Sequence, residues 1–156
     1  MSAELNIPVA IACDHAGFTL KKVVMQTIKD AGYDVLDLGT YDTEAVDYPD
    51  YALKIGTVIA KGDAKRGVLM CGSGVGASIA SNKIKGVYAG LCHDSYSAAQ
   101  GVEHDNMNIL CLGSRVIGEE IAKACVLAFL SADFSIDERH HRRVGKTLKI
   151  EESFFK

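Results

Sequence analysis

A cysteine followed by alternating glycines is the part of this sequence best suited to chemistry. Segment 71–76 reads CGSGVG and ends a run of apolar residues. Glycines before a helix let backbone N–H groups converge on an anion, and the helix dipole strengthens that attraction. The same position favours the thiolate form of a cysteine. The segment therefore predicts a place that holds a phosphate or a developing oxyanion beside a reactive sulfur.

Two common nucleotide-binding motifs do not fit this segment. A Walker A loop needs a Lys-Ser/Thr pair, where this chain has Ala77 and Ser78. A dinucleotide-binding fingerprint needs GxGxxG after the first strand, but this GxGxG follows the third apolar run. A buried structural cysteine is the ordinary alternative for Cys71, since free cysteine is among the most buried residue types.

Other chemically capable residues also have ordinary structural alternatives. Asp14 and His15 follow the first apolar run, where Asp14 could simply cap a helix. His104 could be a helix-terminal histidine beside the dipole, and Tyr48 could belong to a turn before Pro49. Arginines near the carboxyl end would usually form a solvated face, but in a slightly acidic chain they are also candidates for a phosphate clamp. These arginines are Arg139, Arg142 and Arg143.

Five short apolar runs alternate with segments of helical spacing along the chain. The runs are mostly continuous, as expected of strands buried on both faces of a parallel sheet. This order predicts an α/β fold: a single-domain, doubly wound, Rossmann- or flavodoxin-like five-stranded parallel sheet with a C-terminal helical tail from about residue 137. The predicted strands are 9–13, 34–38, 67–71, 87–92 and 108–112, and apolar stripes mark helices within 20–28, 51–59 and 117–129.

The sheet predicts where the chemistry should lie. In open parallel sheets, ligands bind beyond the carboxyl ends of the strands, near a topological switch point. We therefore expect the residues that follow each strand to gather at one edge. We place the segment 104–108, which precedes the fifth strand, at that edge as well.

Composition excludes several other classes of protein. The chain has 156 residues, 48% of them apolar, and a net charge of −3, so we expect one domain over 1–156 and neither nucleic acid nor a membrane as partner. The five cysteines are odd in number and lack CxxC spacing, which argues against disulfides and a zinc site. His140 and His141 are adjacent and point apart, so no metal is expected. The amino terminus does not resemble a signal peptide, and a cytoplasmic location is expected.

Several separated segments together resemble the RpiB/LacAB sugar-phosphate isomerase family, and within it the B-type ribose-5-phosphate isomerases. The resemblance runs from about Val9 to Arg143. It implies an aldose–ketose isomerase that interconverts ribose 5-phosphate and ribulose 5-phosphate through a cis-enediolate, a step of the non-oxidative pentose phosphate pathway, without a cofactor. The matching segments are CDHAGF at 13–18, DYP at 47–49, CGSGVG at 71–76, GSR at 113–115 and RHHRR at 139–143.

The resemblance also implies roles for individual residues. Cys71 would take the C2 proton and return it to C1. His104 would be the acid/base of ring opening, and Asp14 would assist proton movements at the sugar oxygens. The backbone of segment 72–76 would hold the enediolate oxygen, with a contact from the Ser73 hydroxyl. The other expected substrate-binding residues are His15, Tyr48, Gly72, Gly74, Val75, Gly76, Asn108, Arg115, Arg139 and Arg143.

One position departs from the family pattern. His104 is commonly followed by asparagine, whereas this chain has Asp105 and then Asn106. Asp105 can only accept hydrogen bonds while ionised and adds negative charge near a phosphorylated substrate, so no role passes to it. Asn108 could take the place of the amide, or it could be a structural cap.

The resemblance further implies a homodimer with active sites shared between subunits, in which the tail from about residue 137 packs on the partner subunit. The tail arginines and the strand-edge histidine then come from different chains. Within the family, the alternative substrate is a hexose 6-phosphate, such as allose or galactose 6-phosphate. The alternative of another class is a non-catalytic, flavodoxin-like module that binds a phosphorylated ligand or FMN at the same edge. A response-regulator receiver is a third, but it needs an acceptor aspartate after the third strand, where this chain has Cys71.

Overall fold

The computed structural model describes residues 6–155; residues 1–5 and Lys156, which the single-domain and amino-terminal predictions include, lie outside the described part. Five parallel strands form one sheet in the order β2-β1-β3-β5-β4. The predicted bounds of β1 and β3 match, whereas the edge strands β2 and β4 are shorter than predicted and only partly buried. The strands are β1 Val9–Cys13, β2 Val35–Asp37, β3 Gly67–Cys71, β4 Ala89–Leu91 and β5 Ile109–Gly113.

Six helices complete the fold, which confirms the predicted doubly wound α/β architecture. One hydrophobic core lies between the sheet and α1, α4 and α5, and a second lies between the opposite face and α2 and α3. No helix within residues 6–155 is long and apolar enough to cross a membrane. The helices are α1 Phe18–Asp30, α2 Tyr48–Lys61, α3 Val75–Ser81, α4 Ser95–Asp105, α5 Glu119–Ser131 and α6 Glu138–Phe154.

The central strands explain why the sequence reads as continuous apolar runs. Every residue of β1, β3 and β5 is buried, because helices cover both faces of the sheet at its centre. The strand order also reverses between β1 and β3. Helix α1 leads from β1 to β2 on one side of β1, and helix α2 leads back from β2 to β3 on its other side. The carboxyl ends of β1 and β3 therefore form the crevice at which such sheets bind ligands.

The tail forms one long helix that begins at Glu138, close to the predicted start of the helical tail at about residue 137. Asp137 precedes the helix, and Glu138 in the first turn suits the positive end of the dipole. Farther along, the Glu151 carboxylate accepts hydrogen bonds from the Gly86 N–H at 2.8 Å and the Tyr88 hydroxyl at 3.1 Å. Burial and this carboxylate raise the pKa of Tyr88 to about 12. Helix α6 thus packs on its own chain.

Candidate active site

A cavity of about 340 Å³ lies at the crevice between β1 and β3. It is bounded by the turn after β1, the start of α2, the end of β3 and the turn after β5. We call it the strand-end cavity. Its lining residues are Asp14, His15, Ala16, Tyr48, Cys71, Gly72, Ser73, Gly76, Arg115 and Val116.

The Cys71 sulfur lies in this cavity at the end of β3, with 5% of the residue exposed. The Gly74 N–H donates to its Sγ at 3.1 Å. Gly74 has a left-handed backbone with φ of 79°, and a Cβ there would lie only 2.5 Å from Leu91 Cδ1. Glycine is therefore required for the turn that points this amide at the sulfur.

Backbone hydrogen bonds from the turn after β5 hold the cysteine loop in place. The Ser114 N–H donates to the Cys71 carbonyl at 2.9 Å, and the Arg115 N–H donates to the Gly72 carbonyl at 3.0 Å. A Cβ on Gly113 would lie 2.5 Å from the Ser73 carbonyl oxygen, so this approach also needs glycine. The loop is thus fixed by main-chain contacts with the turn after β5.

The loop amides are divided between support and binding. Besides the Gly74 amide on sulfur, the Val75 N–H donates to Ser73 Oγ at 3.2 Å. The five amides of segment 72–76 are expected to bind an oxyanion. Two of them support the loop, so the amides of Gly72, Ser73 and Gly76 remain for a ligand. The Ser73 hydroxyl proton is available to a ligand, because the oxygen acts as acceptor toward Val75.

Asp14 supports the turn that leads into α1, and it also lines the cavity. It is 7% exposed, and its Oδ1 accepts from the Gly17 N–H at 2.9 Å, which closes the turn into α1. His15 is held through Nδ1, which lies 3.1 Å from the Val46 carbonyl oxygen and 3.2 Å from the Val46 nitrogen. Val46 can therefore hold either protonation state of Nδ1, which leaves Nε2 for a ligand.

Arg115 and Tyr48 line the cavity and cover two glycines of the cysteine loop. The Arg115 Nη1 atom lies 3.0 Å from where a Cβ on Gly72 would stand, so the guanidinium covers that glycine. The Tyr48 ring covers Gly76, where a Cβ would lie 2.7 Å from ring carbon Cζ. The absence of side chains at both glycines lets a cation and an aromatic ring approach the reactive segment closely.

All five cysteines are buried, but only Cys71 lines the strand-end cavity. Burial raises the pKa of Cys13 and of Cys92 to about 11. Burial likewise raises the pKa of Cys111 and of Cys125. A thiol with a raised pKa stays protonated near neutrality, so these four are core residues, as the sequence indicates.

The placement of His104 at the carboxyl edge is wrong. His104 ends α4 and precedes β5, so it lies at the opposite, amino-terminal edge of the sheet. There it stacks on His140, with ring centroids 3.9 Å apart, beside the arginines of α6. We call this group the helix-end cluster; its members are His104, Arg139, His140 and Arg143.

The two groups are too far apart to share one small ligand within a chain. At about 3.3 Å per residue, β5 alone separates the edges by roughly 15 Å. The six bonds from C1 to phosphorus in a pentose 5-phosphate span at most about 9 Å at roughly 1.5 Å each. Residues expected in one site therefore form two half-sites in the chain.

Asn108 is not available for substrate in this structure. Its Oδ1 accepts from the Tyr88 N–H at 2.8 Å, and its Nδ2 donates to the Gly86 carbonyl at 2.9 Å. Both ends of the amide thus join β5 to the loop before β4. The structural-cap alternative thus describes this residue in the structure, while a contact with substrate stays a prediction.

Sequence reasoning missed several residues around the two half-sites. Val116 and Ala16 line the cavity without having been singled out, although each adjoins a residue that was. The His93 Nε2 accepts from the Gly113 N–H at 2.9 Å and so supports the turn after β5. Gln100 lies one helical turn before His104, a spacing that could have identified it.

Two further features of the surface bear on where a ligand could bind. Within residues 6–155, no group of three or more His, Cys, Asp or Glu side chains is arranged to hold a metal ion. A larger groove of about 630 Å³ runs along α1, lined by residues such as Phe18, Met25 and Tyr41. None of the predicted site residues lies in it, so the chemistry belongs to the smaller cavity.

Comparison with known proteins shows the family to which the chain is similar. Residues 9–147 match the family model described as Ribose/Galactose Isomerase. Ribose-5-phosphate isomerase B of Escherichia coli is 42% identical over 92% of this chain and 96% of that protein. A D-erythrulose-4-phosphate isomerase of Pectobacterium atrosepticum is 38% identical over 82% of this chain and 85% of its own.

A solved structure shows the same fold. Ribose-5-phosphate isomerase B from Mycoplasma genitalium, with bound ribulose-5-phosphate, matches with a TM-score of 0.87 at 40% identity, covering 93% of this chain and 96% of that one. Both the match to the family model and the identity to relatives extend over nearly the whole chain, which confirms the resemblance seen in the sequence. The chain belongs to the ribose/galactose isomerase family.

Proposed function

We propose that this protein interconverts ribose 5-phosphate and ribulose 5-phosphate through a cis-enediolate, with Cys71 as the base. The observation that carries the proposal is the Cys71 sulfur in the strand-end cavity, accepting an amide hydrogen bond from Gly74 at 3.1 Å. The relatives named ribose-5-phosphate isomerase B, one of them with bound ribulose-5-phosphate, support this substrate.

The proton transfer needs only groups present at the cavity. The Cys71 thiolate takes the proton from C2 of the open-chain aldose, and the C2–H electron pair forms the C1–C2 double bond of the enediolate. As this double bond forms, the C1 carbonyl electron pair moves onto O1. The O2 hydroxyl proton then passes to O1, an O2 electron pair re-forms the carbonyl at C2, and the C1–C2 double-bond pair takes the proton back from the thiol at C1. Proton and electrons balance, so an oxidant or reductant is not consumed.

The charge that develops on the sugar oxygens meets preorganised donors. The amides of Gly72, Ser73 and Gly76 and the Ser73 hydroxyl remain free to donate, whereas the neighbouring amides support the loop. Arg115 adds a cation above Gly72. Fixed donors in a cavity cost little reorganisation during reaction, which is why such arrangements accelerate acyl and enol chemistry.

Ring opening and phosphate binding require the helix-end cluster as well. We assign His104 to ring opening, with Asp14 as its partner at the sugar oxygens, and His15, Arg139 and Arg143 to the phosphate. Because the two half-sites of one chain are separated, a complete site needs the cluster of a second copy. We therefore propose a homodimer with two shared sites related by a twofold axis.

Exposed apolar residues support this assembly. Val75 and Ile79 on α3 and Leu91 on β4 are 47%, 59% and 39% exposed, and all three lie near the cysteine loop. Phe154, at the end of α6, is 80% exposed. A second copy that brings its helix-end cluster to the cavity would cover apolar surface of this kind.

Turnover of defined phosphosugars tests the proposed function. The purified protein is incubated in deuterated water, with a chelator, with ribose 5-phosphate, ribulose 5-phosphate and allose 6-phosphate. We expect interconversion of the two pentoses, deuterium at the carbon-bound position of the product, and much slower turnover of the hexose. Turnover of none of the three, or a yellow protein with bound flavin, would favour the binding-module alternative.

A further inference from the structure

The last turn of α4 and the first turn of α6 enclose the ring of His104. The side-chain nitrogen of Gln100 lies 3.0 Å from His104 Nδ1, one helical turn away on α4. On its other side the ring stacks on His140, with an interplanar angle of 21°. The imidazole is therefore held at one nitrogen and on one face, which leaves Nε2 as the end directed away from both contacts.

The contact with Gln100 determines which nitrogen carries the proton. An amide nitrogen is a donor only, so His104 Nδ1 must accept this hydrogen bond. In a neutral imidazole, an accepting Nδ1 requires the proton to be on Nε2. His104 thus offers an N–H to a ligand and no lone pair at that position.

His140 contributes a neutral ring to this arrangement. It is 3% exposed, and its Nδ1 has no hydrogen-bond partner among residues 6–155. Burial, together with the positive charges of Arg139 and Arg143, lowers its pKa, whereas Asp137 acts in the other direction. A buried unpaired nitrogen is unfavourable, and a hydrocarbon ring would avoid that cost.

We propose that Gln100 and His140 are positioning residues that hold His104 as a neutral Nε2–H donor for the sugar. The inference rests on the proposed function, in which His104 acts at ring opening. In that step the partner's Asp14 carboxylate takes the C1 hydroxyl proton, and the C1–O4 electron pair moves to O4. The His104 N–H stabilises the charge on O4 and keeps its own proton, and the Asp14 proton then passes to O4. A neutral imidazole can polarise a sugar oxygen without being a strong acid.

Nitrogen NMR tests the tautomer without reference to activity. In protein labelled with ¹⁵N-histidine, long-range ¹H–¹⁵N spectra at neutral pH distinguish a protonated ring nitrogen from an unprotonated one. We expect His104 to show a protonated Nε2 and an unprotonated Nδ1, and we expect Gln100→Glu, whose carboxylate can only accept, to reverse them. A wild-type His104 protonated at Nδ1 would overturn the proposal.

Kinetics then tests whether the tautomer matters. Gln100→Glu should lower kcat for ribose 5-phosphate by about tenfold or more, with KM little changed, because the lost hydrogen bond acts on a developing charge. Gln100→Met, which leaves Nδ1 without a donor, should lower kcat less. The same Gln→Glu change at Gln26, exposed on α1, is the control and should leave kcat unchanged. Wild-type kcat in Gln100→Glu would contradict the proposal.

Two replacements at His140 separate stacking from the ring nitrogens. His140→Phe preserves a flat ring against His104 and should retain most of the activity, whereas His140→Leu removes the stack and should lower kcat several-fold more. Equal kcat values for the two variants would remove His140 from the proposal. A wild-type protein that turns over no phosphosugar would instead refute the proposed function, while the NMR result on the tautomer would stand by itself.

Discussion

The strand-end cavity and the helix-end cluster hold their polar groups in different ways. In the cavity, Cys71 and its loop are fixed by main-chain hydrogen bonds to the turn after β5, beside fully buried strands. In the cluster, the arginines lie on an exposed helix, and Arg139 has only a 3.6 Å contact with Asp137, both side chains being more than half exposed. Cys71 and its loop are thus preorganised for proton transfer, whereas the arginines remain exposed and can bind a phosphate.

This difference suggests a division of labour. Chemistry on a carbon-bound proton tolerates little error in position, so it benefits from a base and amides on a rigid frame. A phosphate has three oxygens and is bound by long cationic side chains that can adjust. We expect substitutions in the cavity to lower kcat and substitutions of the cluster arginines to raise KM.

The largest effect should come from the cavity. Cys71→Ala and Cys71→Ser remove the proposed base, and general acid–base catalysis contributes about 10²- to 10⁴-fold, so kcat should fall by at least about 100-fold. Cys92→Ala is the matched control, because that thiol is buried on the other face of the sheet. Circular dichroism checks that each variant is folded. Near-wild-type kcat in a Cys71 variant would exclude the cysteine as base.

A mixture of inactive variants tests whether the two regions work across subunits. Cys71→Ala and His104→Ala are each expected to be nearly inactive. In a randomly paired mixture, half of the dimers are mixed, and one of the two sites in each has both wild-type residues. Activity should therefore recover to about a quarter of the wild-type value. Activity no greater than the sum of the separate variants would place both residues in one chain's site or remove one of them from catalysis.

A smaller effect, in KM, is expected from the cluster. Arg143→Ala removes a charge-assisted contact with phosphate, worth about 1.5–3 kcal/mol, so KM should rise by roughly 10- to 100-fold with a smaller change in kcat. The substitution Arg142→Ala removes the same charge from the neighbouring position and should change KM by less than about threefold. Equal effects of the two substitutions would mean that α6 supplies a general positive field rather than a specific clamp.

The sequence predicts the cavity better than it predicts the cluster, for a physical reason. Strands buried on both faces leave continuous apolar runs, so β1 and β3 and the residues just after them could be located closely. Cys71, Asp14 and His15 were therefore placed correctly. His104 was placed at the wrong edge because it precedes a strand, and carboxyl-edge reasoning applies only to residues that follow one.

Other features depend on contacts that sequence spacing does not encode. The stacking of His104 on His140 joins two helices that are separated by α5 and follow no shared periodicity. The hydrogen bonds of the Asn108 amide to Gly86 and Tyr88 depend on how the loop before β4 packs against the start of β5.

The smallest effect we predict concerns stability at mildly acidic pH, and it belongs to the cluster. Burial lowers the pKa of His140 in the folded protein below its ordinary value of 6.5. Between those two pKa values the unfolded chain binds more protons at this position, so the free energy of unfolding rises with pH through that window and falls as pH is lowered. Urea unfolding from pH 5 to 7, at one protein concentration, measures this slope. Since His140→Phe has no proton to gain, its slope should be smaller than that of the wild type. An equal or steeper slope in His140→Phe would mean that His140 is protonated as readily in the folded protein as in the unfolded chain. His140 would then not present a neutral ring to His104 in solution.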